Sequence, residues 1–334
     1  MCGATGGQNV AVGTNTLPVT AGSNNVSIGH NTGCSNTAGS QNTLVGATAG
    51  ASIVGTGSVT AVGYNAAGAN AGVGSVALGV DALGFGGAGI SNTAVGQCAG
   101  RLTSGAVNTL VGWSAGSAIT TGSCNTIVGS FAGSTTLASN VVLANGAGAV
   151  RFQANSSGAW SYDGTNFGTA GQVLKSAGTA AAPAWSSALY GAFSDSTIQT
   201  NTGGASGNPV DLNTTASANG FSIVSGTQIT ATTAGVYNIQ FSLQFEKTDA
   251  GTDSMEVWFK KDGTDIANSN TSIQLDGNGA KQLFALNLVE SLTAGQYLEV
   301  WWYSADANAQ LTAVAAGTRP AIPSAIVTVV PVGA

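Results

Sequence analysis

A short apolar segment that ends in glycine recurs along the first 150 residues of the chain. The copies read NVAVG, NVSIG, NTLVG, VTAVG, SVALG, NTAVG, NTLVG and NTIVG, and a ninth, NVVLA at 140–144, lacks the glycine. The glycines are residues 13, 29, 46, 63, 79, 96, 112 and 129, so the period is 16 or 17 residues. Val or Thr, then a mostly aliphatic or small residue, then Val, Ile or Leu precede each glycine, which predicts one short strand per repeat.

The period indicates how these strands are arranged. It is shorter than the roughly 33 residues that helical-pair repeats need. It suits a parallel β-solenoid, in which equivalent residues stack about 4.8 Å apart. Asn opens seven of the nine copies, and stacked Asn side chains can hydrogen-bond from rung to rung. We therefore expect an all-β fold whose first part, residues 9–150, is a β-roll of about nine rungs.

Both faces of each predicted strand are apolar, whereas a solenoid that stands alone should be polar outside. The first 150 residues contain only two charged residues, Asp81 and Arg101. We therefore expect three coils to pack around a common axis and bury the second face. The residues expected to form the packing of the stem and trimer are Val12, Ile28, Val45, Val62, Leu78, Val95, Val111, Val128, Leu143, Leu110 and Ile127.

The repeats also resemble a known family. NTAVGQCAG at 92–100 and its siblings are similar to the head repeats of trimeric YadA-like adhesins and of bacteriophage fibres. The resemblance covers about residues 9–150, although the period is longer than the shortest version in that family. It implies a trimeric β-roll that serves attachment and not catalysis.

The chain changes character after the repeats. Residues 151–187 are rich in turn residues and include the spaced aromatics Trp160, Tyr162 and Phe167. This predicts an ordered neck whose aromatics pack at the three-fold axis. Residues 1–8 are expected to be a docking tail.

From residue 188 the pattern is that of alternating strands separated by turns. Strands are predicted at 235–247, 282–292, 296–305 and 324–332, with a hairpin over 254–266 that turns at Asp262-Gly263. The number and spacing of the strands predict an antiparallel jelly-roll sandwich over 188–334.

This second region resembles the TNF-like jelly roll of complement-type globular heads. Gly191–Ser194 is similar to the family's opening strand and Gly235-Val236-Tyr237 to the start of its central strand. Leu292–Val300 is similar to a further strand entry, with Gln296 where Asp is commoner. The resemblance implies a trimer that binds proteins or other surface ligands, in some members with calcium.

Composition narrows the possible functions. Charged residues make up 7% of the chain and the net charge is −6, which argues against nucleic-acid binding. No window of about 18 apolar residues predicts a membrane helix, and the first residues do not read as a signal peptide. We therefore expect synthesis in a host cytoplasm, no membrane insertion, and four cysteines that are buried small residues in a reducing compartment.

No arrangement of residues predicts catalysis, a cofactor or a metal site. The single histidine, His30, is expected on the surface of a rung. Glu256, Glu290 and Glu299 lie on predicted strands with nothing to mark a cleft, so paired-carboxylate chemistry is not expected.

Four aromatic residues, Trp258, Trp301, Trp302 and Tyr303, allow more than one interpretation. Adjacent strand residues face opposite sides. One of the two neighbouring tryptophans is therefore expected in the core. The other is expected at the trimer interface, with a solvent-exposed sugar-stacking role as the less favoured reading.

Strand counting places loops 247–253, 276–279 and 305–320 at the end far from the stem. The candidate receptor-contact residues at this apex are Asp249, Asp253, Asp276, Asn278, Asp306, Asn308 and Gln310. The alternative is that these are ordinary polar turns.

The sequence thus predicts a non-enzymatic homotrimeric phage fibre, located on the virion tail or capsid. Its expected partners are itself, an adaptor or baseplate or capsid protein at the N-terminus, and a host receptor of protein or polysaccharide. Two alternatives remain open. One is a bacterial trimeric surface adhesin, disfavoured because neither a signal peptide nor a membrane anchor is recognised. The other is a capsid decoration without a receptor.

Overall fold

The structure, a computed structural model, describes residues 6–18, 20, 22–69, 71–87, 89–203 and 205–332. The described residues form strands and turns without a helix, which confirms the expected all-β class. None of them belongs to a helix that is long and apolar enough to cross a membrane. The chain divides into a coil unit, Met1–Ala170 with Ser176–Trp185, and a jelly-roll unit, Gly171–Lys175 with Ser186–Ala334.

Nine short strands of the coil unit stack in parallel and give a solenoid of about eight turns. Each strand residue pairs with its equivalent one repeat later, as Leu44 does with Ala61 and Ala61 with Ala77. The strands are β1 (Val10–Val12), β2 (Val26–Ile28), β3 (Thr43–Val45), β4 (Thr60–Val62), β5 (Val76–Leu78), β6 (Thr93–Val95), β7 (Thr109–Val111), β8 (Thr126–Val128) and β9 (Val141–Ala144).

The glycine that closes each of the first eight strands is required by the stacking. These glycines have φ between 107° and 141°, a region that side-chain-bearing residues rarely adopt. A Cβ atom on any of them would lie 2.0–2.7 Å from the carbonyl oxygen of the next rung. The repeat therefore keeps glycine because two consecutive rungs approach each other too closely for any side chain.

The middle residue of each strand fills the interior of the coil. Leu44, Ala61, Leu110 and Ile127 are all fully buried. A second inward position lies six residues later in the rung. It is Gly50 after Leu44, where a Cβ would lie 2.8 Å from the Leu44 side chain, and it is the fully buried Ala67 after the smaller Ala61. The inward residues of these two rungs are thus closely packed, as in protein interiors generally.

The predicted Asn ladder is present and runs along one edge of the coil. The Oδ1 atom of Asn92 accepts from the backbone N–H of Asn108 at 2.9 Å and from its Nδ2 at 3.1 Å. Asn108 accepts in the same way from Asn125, at 3.1 and 2.9 Å. Gln153 ends the ladder by donating its Nε2 to Asn140 at 2.8 Å. These buried amides satisfy each other and the backbone of the neighbouring rungs.

The first part of the predicted neck continues the coil's sheet. Strand β10 (Val150–Ala154) pairs antiparallel with β9, and β11 (Trp160–Ser161) pairs with β10. Strands β12 (Gln172–Lys175) and β13 (Ala184–Ser187) form a separate two-stranded sheet. Trp160 is exposed and makes an edge-on contact with Phe152 at 5.6 Å.

The predicted docking tail, residues 1–8, falls mostly outside the described residues. Its described end belongs to the coil. The N–H of Gly6 donates to the carbonyl of Thr20 at 3.4 Å, and Gly7 accepts from the N–H of Asn24 at 3.1 Å. These two residues therefore extend the solenoid.

The jelly-roll unit consists of antiparallel strands in two sheets. The strands are β14 (Tyr190–Asp195), β15 (Gln199–Thr200), β16 (Asn208–Pro209), β17 (Thr214–Asn219), β18 (Phe221–Val224), β19 (Gln228–Ala231), β20 (Gly235–Lys247), β21 (Thr252–Lys261), β22 (Thr264–Asp265), β23 (Thr271–Asp276), β24 (Lys281–Leu292), β25 (Tyr297–Tyr303), β26 (Ala309–Leu311) and β27 (Ala325–Pro331). The first sheet has the order β17–β14–β27–β20–β24, and β26 and β15 extend it beside β20. The second has the order β18–β19–β25–β21–β23, with β16 and β22 at its margins.

The core of the jelly roll lies between these two sheets and is rich in aromatic residues. Alternate residues of β20 face it, as the sequence predicts: Tyr237, Ile239, Phe241, Leu243 and Phe245 are buried. Rings from the second sheet meet them, Phe259 at 5.3 Å from Phe241 and Trp302 at 5.8 Å from Phe245. Strand β14 pairs with β27, so the first and last strands of the sandwich are neighbours.

Candidate functional site

The coil carries an apolar stripe on its outer surface. It consists of the third residue of each strand, which faces away from the interior: Val12, Ile28, Val45, Val62, Leu78, Val95, Val111, Val128 and Leu143. Six of the nine are exposed in the single chain, Val12 at 55%. By contrast Leu110 and Ile127, which we assigned to the same packing, lie inside the coil of each chain. This stem stripe is therefore an apolar surface of the coil that recurs on every rung and that a single chain leaves largely open to water.

The jelly roll has a comparable surface on the outer face of its first sheet. Val289 and Val330 flank Asn238, and Ile326 flanks Ser242. All three apolar side chains are exposed. The core-facing residues Ile239, Leu243 and Val327 of β20 and β27 are buried, so the open apolar face is the opposite side of these two strands. Exposed apolar side chains gathered on one face of a sheet are a feature of interaction sites.

The three predicted apex loops do lie side by side. The N–H of Thr248 donates to the carbonyl of Asn308 at 3.1 Å. The N–H of Gly277 donates to the carbonyl of Gly251 at 2.8 Å. Hydrogen bonds therefore join loops 247–253, 276–279 and 305–320 into one surface.

Three of the acidic apex residues converge on a buried lysine that the sequence analysis did not single out. The Nζ atom of Lys247 is bonded to carboxylate oxygens of Asp249 and Asp253, and to Asp306 at 2.6 Å. Lys247 is only 1% exposed. The three carboxylates, Asp249 foremost, raise the pKa of Lys247 above its usual range. Bonds from Lys247 and then from the Asn308 N–H hold the pKa of Asp306 well below its usual range.

This lysine changes the chemistry expected at the apex. The three carboxylates lie close enough together to hold a metal ion. The ammonium of Lys247 already neutralises part of their charge from the centre of the cluster, where a cation would bind. The cluster is therefore built as an ion-pair network that ties the loops together.

The other predicted apex residues are distributed around this network. Asn308 donates its Nδ2 to Asp249 and to Asp306, both at 3.1 Å. Asp276 ends β23 and accepts from Thr252, and Asn278 is exposed in the adjoining loop. Gln310 lies in strand β26 and not in a loop, where it donates to Glu246 at 3.0 Å.

The four aromatic residues of the second sheet lie on its two opposite faces, as alternation along the strands requires. Trp302 is fully buried in the core. Trp258, Trp301 and Tyr303 share the outer face of the sheet, where β21 and β25 pair Trp258 with Trp301. The Nζ atom of Lys260 lies 3.9 Å from the centre of the Trp301 ring.

Two expectations from the sequence are wrong at the level of single residues. Glu256 does line a cleft, together with Trp258 and Tyr303. Within the described residues the cysteines are not buried, since Cys34 and Cys98 are half-buried and Cys124 is exposed. Small side chains at turn positions of a coil need not enter the interior. Cys2 lies outside the described residues. His30 is exposed, as expected.

Comparison with known proteins adds no family to this picture. The sequence matches no family model, and a search of curated proteins finds no significant similarity.

Proposed function

We propose that this protein is a non-enzymatic homotrimeric fibre of a bacteriophage virion that attaches to the host surface through its jelly-roll region. The observation that carries the proposal is the stem stripe. Val, Ile or Leu stands at this position on every rung, and most of these side chains are exposed in one chain.

Apolar burial supports a trimer over a lone coil. The stem stripe is continuous because its residues are in register from rung to rung, as Val111 is with Val128. Placing three such stripes around one axis removes them all from water, and each buried side chain of this size contributes about 1.5–3 kcal/mol at most. The open apolar face of the jelly roll provides a second surface for the same copies to cover.

The resemblances identified in the sequence support attachment as the role of such a trimer. YadA-like head repeats and TNF-like jelly rolls both occur in trimeric proteins that contact surfaces. The order of the sheets, with β14 beside β27, agrees with the TNF-like resemblance. Three copies of the apex loops would display their polar side chains together and gain avidity from weak contacts.

The molar mass of the undenatured protein tests the assembly. Light scattering should give about three times 32.5 kDa. The double variant Val95→Asp/Val111→Asp introduces charge into the stem stripe and should shift the mass towards one chain. Gln97→Asp/Ser114→Asp, changed at turn positions of the same rungs, is the matched control and should remain trimeric. A monomeric wild-type protein would overturn the proposal.

Antibody labelling tests the location and the role. An antibody to the jelly roll should label intact virions at the tail or capsid and reduce adsorption to host cells. Labelling without any effect on adsorption would favour a capsid decoration, and labelling of bacterial cells in place of virions would favour a surface adhesin. Purified protein incubated with host polysaccharide should release no fragments, since release would contradict a non-enzymatic role.

A further inference from the structure

A second surface of the jelly roll has the features of a ligand site. On the outer face of the second sheet, a cleft of about 590 Å³ is lined by Glu256, Trp258, Lys260, Asp265, Asn270 and Tyr303. Its size is within the range of about 300–1,000 Å³ that is usual for small-molecule sites. None of these residues belongs to the apex loops, so the cleft is separate from the predicted receptor contact.

The aromatic floor of the cleft is held rigidly. The Nε1 of Trp258 donates to Asp265 at 2.7 Å. At the far edge of the indole, Gly207 has φ +77° and a Cβ there would lie 2.5 Å from the Cη2 atom of Trp258. Trp301 packs beside it with ring centres 6.2 Å apart. The ring is thus fixed at both ends before any ligand binds, which lowers the entropy cost of binding.

Polar groups surround this floor in the way that hydroxyl-rich ligands require. Asn270 donates its Nδ2 to Glu256 at 2.9 Å and fixes that carboxylate. Lys260 is held over Trp301 and lies 3.5 Å from Asp265. The cleft therefore offers carboxylate acceptors, an ammonium donor and an amide around a flat apolar surface. A pyranose ring presents the matching pattern, an apolar C–H face with hydroxyl groups at its rim.

The charges of the cleft indicate which saccharides it would accept. Glu256 and Asp265 carry two negative charges against the single positive charge of Lys260, so the lining is net negative. Lys260 is also already engaged by Trp301 and Asp265. An anionic sugar would meet repulsion, while a neutral pyranose would not.

We infer that this aromatic cleft binds a neutral pyranose unit of a surface glycan, with Trp258 as the stacking platform and Glu256 as a hydroxyl acceptor. The inference rests on the proposed attachment function and gives it a ligand class and a place outside the apex. Three clefts in a trimer would turn weak single-site binding into firm attachment to a repetitive polysaccharide.

Saturation-transfer NMR on the full-length protein tests this directly. The probes are the methyl glycosides of glucose, galactose, mannose and N-acetylglucosamine, with methyl glucuronide as the acidic comparison. At least one neutral glycoside should receive saturation, and the glucuronide should receive less. Trp258→Ala should weaken binding by about tenfold or more because the stacking surface is removed. Trp258→Phe should retain part of it.

Two further variants distinguish a loss of the binding site from a loss of the fold. Glu256→Gln keeps the shape of the cleft and should weaken binding through the lost acceptor. Trp160→Ala removes an exposed tryptophan from the coil unit and should leave binding unchanged. Absence of saturation with every neutral glycoside, or equal binding by wild type and Trp258→Ala, would overturn the inference.

Binding of labelled protein to a panel of bacterial strains keeps this inference apart from the proposed function. Cell attachment that is lost in Trp258→Ala supports both. Cell attachment that Trp258→Ala leaves intact overturns the cleft as the attachment site and leaves the function standing. Glycoside binding lost in Trp258→Ala, with attachment to no strain, supports the cleft and contradicts the function.

Discussion

The coil and the jelly roll reach stability by different kinds of contact. In the coil, side-chain hydrogen bonds between rungs join residues 12–17 positions apart, as between Asn108 and Asn125. In the jelly roll they join residues as far apart as Asp195 and Ser324, 129 positions along the chain. The coil therefore repeats one set of contacts between neighbouring rungs. The jelly roll depends on contacts between segments that are distant in the sequence.

The two cores differ for the same reason. A coil rung has room for aliphatic residues and alanines but not for large rings, as Leu44, Ala49 and Ile53 show. The jelly roll packs large rings, such as Phe245 against Trp302. All six ion pairs found among the described residues also lie in the jelly roll. Repetition leaves little space for varied chemistry, so candidate binding groups concentrate where the sequence does not repeat.

The largest expected effect is on the coil. Gly96→Val would place its Cβ about 2.4 Å from the carbonyl oxygen of Gly112, at a φ of +131°. We expect this variant to lose several kcal/mol, at least about 3, and to prevent folding of the coil. Solubility and circular dichroism measure it. Gly146→Ala, where nothing lies within 4 Å of the added Cβ, should fold as wild type, and a stable Gly96→Val protein would contradict the close-approach argument.

The next effect is on the jelly-roll core. Phe245→Ala removes a fully buried ring that contacts Phe284 and Trp302. The cavity should cost about 3–5 kcal/mol, seen as a lower midpoint in chemical denaturation. Gln244→Ala, on the opposite face of the same strand, should change the midpoint little. Equal effects of the two substitutions would show that β20 does not face the core as described.

The Asn ladder should contribute less per residue than a core ring. Asn108→Ala removes the acceptor of the Asn125 N–H and a donor to the Gly122 carbonyl. Each buried group left unsatisfied should cost roughly 1–3 kcal/mol. Asn108→Ser should be milder, because Ser75 holds the same position and its Oγ accepts from the Asn92 N–H at 3.3 Å. Thermal unfolding should rank wild type above Ser and Ser above Ala, and any other order would contradict the ladder's role.

The smallest expected effect is that of pH on the jelly roll. The pKa values of Asp306 and Glu246 are lowered, chiefly by bonds from Lys247 and from Thr312 respectively. The stabilisation by these two carboxylates is present above their unfolded-state pKa values of about 4 and is lost as the pH falls further. The raised pKa of Lys247 matters at high pH. The stabilisation by this lysine is complete below pH ~10.5 and is lost as the pH rises through its folded-state pKa.

We therefore expect the unfolding temperature of the jelly roll to fall between pH 6 and pH 3 and to be nearly constant from pH 6 to 9. Asp211 has the opposite effect, because burial and then Asp195 raise its pKa. Its protonation therefore stabilises the folded state and should reduce the loss of stability at low pH. Lys247→Met leaves three carboxylates without their partner. Its unfolding temperature should rise as the pH falls from 6 to 4, and a fall parallel to wild type would contradict the network.

The sequence predicted the rung strands of the coil, several strands of the jelly roll, and three polar loops that lie side by side in the structure. It predicted which residues of β20 face the core, because the alternation of apolar and polar residues along one strand is visible without knowledge of the strands that pair with it. It missed Lys247 because a lysine at the end of a strand looks exposed until three loops fold over it. It also missed the cleft, although Glu256, Trp258 and Lys260 alternate on the outer face of β21, a signal that could have found it.

The sequence alone determined the architecture of the coil. The same contacts between rungs recur every 16 or 17 residues, so glycine recurs at the end of the strands and Asn recurs before most of them. The sites of the jelly roll were decided only by the tertiary structure. Asp265 reaches Trp258 across a hairpin, and Tyr303 joins them from β25. Such contacts depend on the pairing register of distant strands, and the pattern of residues along the sequence does not determine that register.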